Sequence, residues 1–231
     1  MKEDDEMYLT DYGLLAISIV ISMASQGYIN MWFSKTRKMK NKKRITGREV
    51  AREILDKNGL KKVKVQEVAG ILSDHYDPRS KTVNLSSDIY EGESIAAISV
   101  ASHECGHAIQ DKDGYFFLRL RSTIVPIVNI ASTLGYVAIM IGLIFGALGF
   151  LRIGIIMEFV ILAFQLITLP VEFNASSRAL KKIEEYKIVN NDEHHYAKKM
   201  LTSAALTYVA SVASTLVQIL RFVLLAAGDR R

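Results

Sequence analysis

Four apolar blocks divide the chain, at residues 13–33, 123–150, 153–171 and 204–227. Each reaches the roughly 20 residues that an α-helix needs to cross the hydrocarbon core of a bilayer. The second and third are separated only by Leu151 and Arg152, so the pattern predicts a tight helical hairpin there. Gly142, Gly146 and the Ala210/Ser214 face of the fourth block allow close packing of such helices. The fourth block reads either as a full span or as a helix lying in the interface or inside the bundle. The expected fold class is a mainly α membrane protein with three to four transmembrane helices.

Between the first two blocks the pattern changes. Residues 47–58 are apolar at helical spacing and end at Asn58-Gly59, a helix stop signal. Val63, Val65 and Val68 suggest a strand, and residues 71–76 and 82–85 read as two strands around the turn Asp77-Pro78-Arg79-Ser80. Gly92 then breaks the chain and Ser94 is placed to cap a helix in which Ile98, Ala101, Cys105 and Ala108 form a buried stripe. Residues 34–122 are therefore expected to form a small α+β domain. An edge strand in such a sheet could hold an extended peptide by main-chain pairing, or be merely structural.

Charge orients this arrangement. The net charge of +5 resembles a nucleic-acid signal until it is located. Lys35, Arg37, Lys38, Lys40, Lys42, Lys43, Arg44 and Arg48 carry most of it, with no acid among them, directly after the first apolar block. A membrane boundary explains that cluster better than DNA or RNA, and no nucleic-acid partner is expected. The acidic flank Glu3, Asp4, Asp5 and Glu6 makes the first block an uncleaved anchor rather than a signal peptide. The positive-inside rule then leaves residues 1–12 outside and puts 34–122 in the cytoplasm. The second span leaves and the third returns, so 172–203 are cytoplasmic. This leaves the C-terminus outside, a placement that Arg230 and Arg231 oppose. A single cysteine excludes an internal disulfide, and the expected role of Cys105 is packing.

The chemistry lies in His103-Glu104-Cys105-Gly106-His107. Residues four apart share a helix face, so two imidazoles of an H-E-x-x-H pattern can converge on one metal. The intervening Glu104 can take a proton from a metal-activated water. With five His and thirteen Glu in 231 residues, the chance expectation of the pattern is about 0.006. A catalytic zinc usually has three protein ligands and an open position. Glu172, just past the third apolar block, is the best candidate for the third, because the charge-derived topology brings it to the same membrane face as the two His. The alternative is a carboxylate at a membrane boundary.

His103 to Gln110, Asp74 to Arg79 and Leu169 to Ser176 together resemble the YugP-type membrane zinc metallopeptidases of bacteria, and the resemblance covers nearly the whole chain beyond the N-terminal tail. Glu172-Phe173-Asn174-Ala175 is more distantly similar to the third-ligand segment of HtpX-like and CAAX-prenyl membrane proteases. The resemblance implies His103, His107 and Glu172 as ligands of one Zn2+ per chain and Glu104 as base, a gluzincin-type, zincin-like site. It further implies a multi-pass protein of the bacterial cell membrane acting on peptide or membrane-protein substrates. In the distant relatives an Asp commonly stands four residues after the ligand Glu, whereas here Ser176 does. A carboxylate that would orient a metal-bound His is thus missing or replaced by a hydroxyl.

Other residues carry two readings each. His75 is a candidate oxyanion donor or a surface histidine. Arg178 and Asn174 could stabilise the oxyanion or bind substrate, or form a helix-end ion pair. His194 and His195 sit in a polar stretch expected to be a cytoplasmic loop. Glu158, 14 residues before Glu172, is about 21 Å away along a helix and cannot join the site. The function expected is an integral membrane metalloprotease with its active site at the cytoplasmic face. The alternatives are a catalytically silent zinc-binding scaffold or regulator, and a small transport protein using Glu158 and Gln165. Substrate and oligomeric state are not legible.

Overall fold

A computed structural model describes residues 2–228, with side chains from residue 9 onward. Arg230, Arg231 and the acidic side chains of residues 3–6 lie outside the described residues. The molecule is mainly helical, with one three-stranded sheet. The elements run α1 (Lys2–Arg37), α2 (Gly47–Lys57), β1 (Lys64–Val68), β2 (His75–Asp77), β3 (Thr82–Ser86), α3 (Ser87–Tyr90), α4 (Ile95–Lys112), α5 (Phe116–Phe145), α6 (Leu148–Glu185) and α7 (Asn191–Gly228). Among the described residues four helices, α1, α5, α6 and α7, are long and apolar enough to cross a membrane. The chain divides into two compact units, one of residues 1–26, 120–169 and 207–231, the other of residues 27–119 and 170–206.

The first unit holds the apolar lengths of the four long helices. Its α5–α6 hairpin turns at Gly146, which takes the left-handed φ of 62° that a glycine adopts without steric cost. The turn therefore precedes the expected Leu151-Arg152 break, and both residues continue in α6. Glycine also sets the helix spacing: a β-carbon on Gly142 would lie 2.8 Å from the Leu151 nitrogen, and one on Gly154 would lie 2.4 Å from Ile139 Cγ1. α1 and α7 run antiparallel along a polar seam. Arg221 donates to Asp11 at 2.6 and 3.1 Å, Gln218 donates to the Ser18 hydroxyl at 3.4 Å, and the Ser22 and Ser214 hydroxyls meet at 3.1 Å.

The second unit is the α+β part. β3 lies centrally, parallel to β1 and antiparallel to β2. β2 is shorter than the pattern suggests, because Ile71 and Leu72 leave the strand as exposed residues of a loop in which Gly70 and Leu72 both have positive φ. α2 begins with a capping box: the Thr46 hydroxyl accepts from the Glu49 amide while Glu49 accepts from the Thr46 amide. Its apolar face (Val50, Ala51, Ile54, Leu55) packs with Val83 and Leu85 of β3 and with Ile98, Ala101, Cys105 and Ala108 of α4 in one core. His194 and His195 belong to the first turns of α7, not to a loop. Asn190 and Glu193 make the reason plain, since their side chains cap each other's backbone amides and start the helix there.

Candidate metal centre

α4 carries the motif as a helix should. Ser94 caps it, its hydroxyl accepting from the Ala97 amide at 3.0 Å. Ile98, Ala101, Cys105 and Ala108 are all at most 1% exposed, so the opposite face is fixed in the core. That fixes the direction of His103 and His107, whose rings meet edge to face with centroids 4.7 Å apart. The Glu104 side chain is buried between them in sequence.

Glu172 comes from α6. Its Oε2 lies 3.2 Å from His103 Nε2 and 3.6 Å from His107 Nε2. The ligand atoms of the three residues all lie within 4.8 Å of one another. A tetrahedral metal with bonds of about 2.0–2.1 Å holds its ligand atoms about 3.3–3.4 Å apart, so the two nitrogen–oxygen separations fit a zinc-sized ion. The remaining ring nitrogens point elsewhere. His107 Nδ1 meets Gln110 Oε1 at 3.0 Å and His103 Nδ1 meets the Ser176 hydroxyl at 3.2 Å. Both rings therefore direct Nε2 to the common point, as metal-ligating histidines do. Burial opposes charge on His107, but the hydrogen bond to Glu172 and the nearby Glu104 and Glu172 carboxylates outweigh it and raise its pKa above the ordinary value.

The whole chain decides what this cluster belongs to. A family model described as "Putative neutral zinc metallopeptidase" matches residues 12–227. The chain belongs to this family. It is also 44% identical over 217 residues to a Bacillus subtilis protein named "Putative membrane protease YugP", covering 94% of this chain and 96% of that protein. No solved structure matches it significantly.

In this zinc metallopeptidase family member, the other sequence candidates lie outside the three-residue group. His75 is exposed on β2, its Nδ1 2.8 Å from the Ser73 carbonyl and its Nε2 3.2 Å from Asn84 Nδ2. Arg178 is engaged by Asn174 at 2.7 Å and by Asp113 at 2.5 Å. Ser176, which the sequence offers as a hydroxyl in place of a missing carboxylate, does meet His103. Two contributors escaped the sequence reading. Gln110 stands three residues after His107, on the same helix face. Gly106 lets α6 approach: a β-carbon there would lie 2.5 Å from the Ala175 carbonyl oxygen. The signals were the i, i+3 spacing of Gln110 and a glycine inside a helix that otherwise has no need of one.

Proposed function

We propose that the chain is an integral membrane protease that hydrolyses peptide bonds at the cytoplasmic membrane face. His103, His107 and Glu172 hold one zinc per chain. The observation carrying this reading is the convergence of those three side chains at metal-ligand separations, from two helices 69 residues apart in sequence at His103 and Glu172. Membership of a zinc metallopeptidase family and the run of cations after the first apolar block support the metal and the face.

Bound zinc would supply Lewis acidity and lower the pKa of a water. Glu104 takes the proton of the attacking water and passes it to the leaving amine. Its burial beside His103 keeps the carboxylate out of bulk solvent, where it would be less effective as a base. Ser176 and Gln110 hold the two imidazoles in place while the charge at the centre changes.

The test is cleavage of a quenched peptide library by detergent-purified protein, with metal content measured in parallel. Stoichiometric zinc and chelator-sensitive cleavage are expected. Glu104→Gln should keep the zinc and lose about 10²–10⁴-fold in rate. Protein that holds zinc and cleaves nothing would instead be a scaffold, and the protease reading would fall.

A further inference from the structure

The Nδ1 partners of the two imidazoles differ in what they dictate. A serine hydroxyl can donate or accept, so Ser176 leaves the tautomer of His103 open. Gln110 leaves no such freedom to His107. It is completely buried, and its Nε2 lies 2.8 Å from the Val171 carbonyl oxygen and 3.0 Å from Asn174 Oδ1. A carbonyl oxygen only accepts, so the Gln110 atom facing it must be the amide nitrogen. Asn174 is fixed in turn by Arg178, whose Nε donates to Asn174 Oδ1 at 2.7 Å. A guanidinium only donates, so the Asn174 atom facing both Arg178 and Gln110 must be oxygen. Arg178 is itself steadied by Asp113, one residue past the end of α4, at 2.5 Å.

The orientation of one amide thus propagates. With its nitrogen committed to α6, Gln110 can present only oxygen to His107 Nδ1. That ring nitrogen must carry a hydrogen, so Nε2, which faces Glu172, is the nitrogen that gives up its proton when a metal binds. We propose that Gln110 is a positioning residue that locks His107 in its metal-binding tautomer, and that Arg178, acting through Asn174, keeps Gln110 oriented. The inference rests on the metal reading of the preceding section. It gives Arg178 a role remote from substrate, and it makes α6 supply both a ligand and the anchor that orients another ligand.

The experiment is a double-mutant cycle on zinc affinity, read by chelator competition, with the visible spectrum of the cobalt-substituted protein as a second readout. Gln110→Leu, close in volume, should weaken zinc binding about 10- to 100-fold and alter the cobalt spectrum. Arg178→Met, at a side chain 27% exposed, should weaken it less, because the Val171 carbonyl still holds Gln110. Added to Gln110→Leu, it should have no further effect, since both act through one chain. Wild-type affinity and spectrum in Gln110→Leu would overturn the proposal. So would an additive effect of Arg178→Met, which would mean that Arg178 reaches the metal by another route. Should Gln110→Leu fail to fold, wild-type affinity in Arg178→Met alone would overturn the Arg178 part. A wild-type protein that binds no zinc would fail the metal reading itself. Zinc binding without cleavage would fail only the protease reading and leave this cycle fully interpretable.

Discussion

Gly106 and Ala175 mark the point where α4 and α6 touch, with the Ala175 carbonyl oxygen 2.5 Å from where a β-carbon on Gly106 would lie. Backbone, not a flexible side chain, occupies that space. His103 and His107 flank the contact on α4, and Glu172 and Ser176 flank it on α6. The glycine therefore sets the distance across which His103, His107 and Glu172 meet.

Gly106→Ala should force the helices apart and disturb the metal centre along with the packing. Overpacking of a tight contact typically costs about 1–3 kcal/mol. The expected outcome is a lower unfolding temperature together with weakened zinc binding. Calorimetry with and without added zinc checks it: a variant that loses stability but keeps wild-type zinc affinity would show that helix spacing does not set the ligand geometry.

The Ser176 hydroxyl stands at His103 Nδ1, 3.2 Å away. Ser176→Ala should weaken zinc binding about tenfold, the low end for loss of a partner that orients a ligand. Ser176→Asp should bind at least as tightly as the wild type, since a carboxylate accepts from an imidazole N–H more strongly than a hydroxyl does. Chelator competition on the three proteins gives the order directly. An Asp variant weaker than the Ala variant would mean that the added charge beside Glu172 outweighs the better acceptor.

Cys105 lies inside the motif yet faces away from His103, His107 and Glu172. It is 0% exposed, and its thiol lies 3.6 Å from the Ala51 carbonyl in the core between α2 and α4. Burial also pushes the thiol pKa above its ordinary range, which removes thiolate. The native protein should resist alkylation at pH 8 and react with one equivalent of reagent once unfolded. Mass spectrometry of the two samples decides it, and rapid native labelling would reopen a redox role.

The most legible features in the sequence were those set by local rules. Helical periodicity and the Ser94 cap placed α4, and Asn58-Gly59 ended α2, where Gly59 does take a positive φ of 73°. The apolar blocks marked the four long helices. Features set by contacts distant in the chain were less legible. The hairpin turn moved to Gly146 because left-handed backbone, not the charge of Arg152, decides where a helix can reverse. Residues 71–74 have strand-like composition but no partner strand, and composition alone does not register pairing. Glu172 was reachable through topology. Gln110 was not, because its importance comes from Val171 and Asn174, more than 60 residues away.

The last prediction concerns the ion pair between Asp11 and Arg221. Arg221 falls inside the fourth apolar block, and the two side chains retain only 11% and 13% exposure. A charge at such a position is costly unless paired, and here the guanidinium meets both carboxylate oxygens. Removing one partner of a buried pair costs about 3–5 kcal/mol, because the other charge is left uncompensated. Arg221→Gln and Asp11→Asn should each lower thermal stability in detergent. The double variant should lose much less than the sum, since neither charge is then stranded. A fourth helix lying flat in the interface would have its Arg221 solvated, and the single variants would then be nearly neutral. Unfolding curves of the four proteins thus test both the α1–α7 seam and the reading of α7 as a spanning helix.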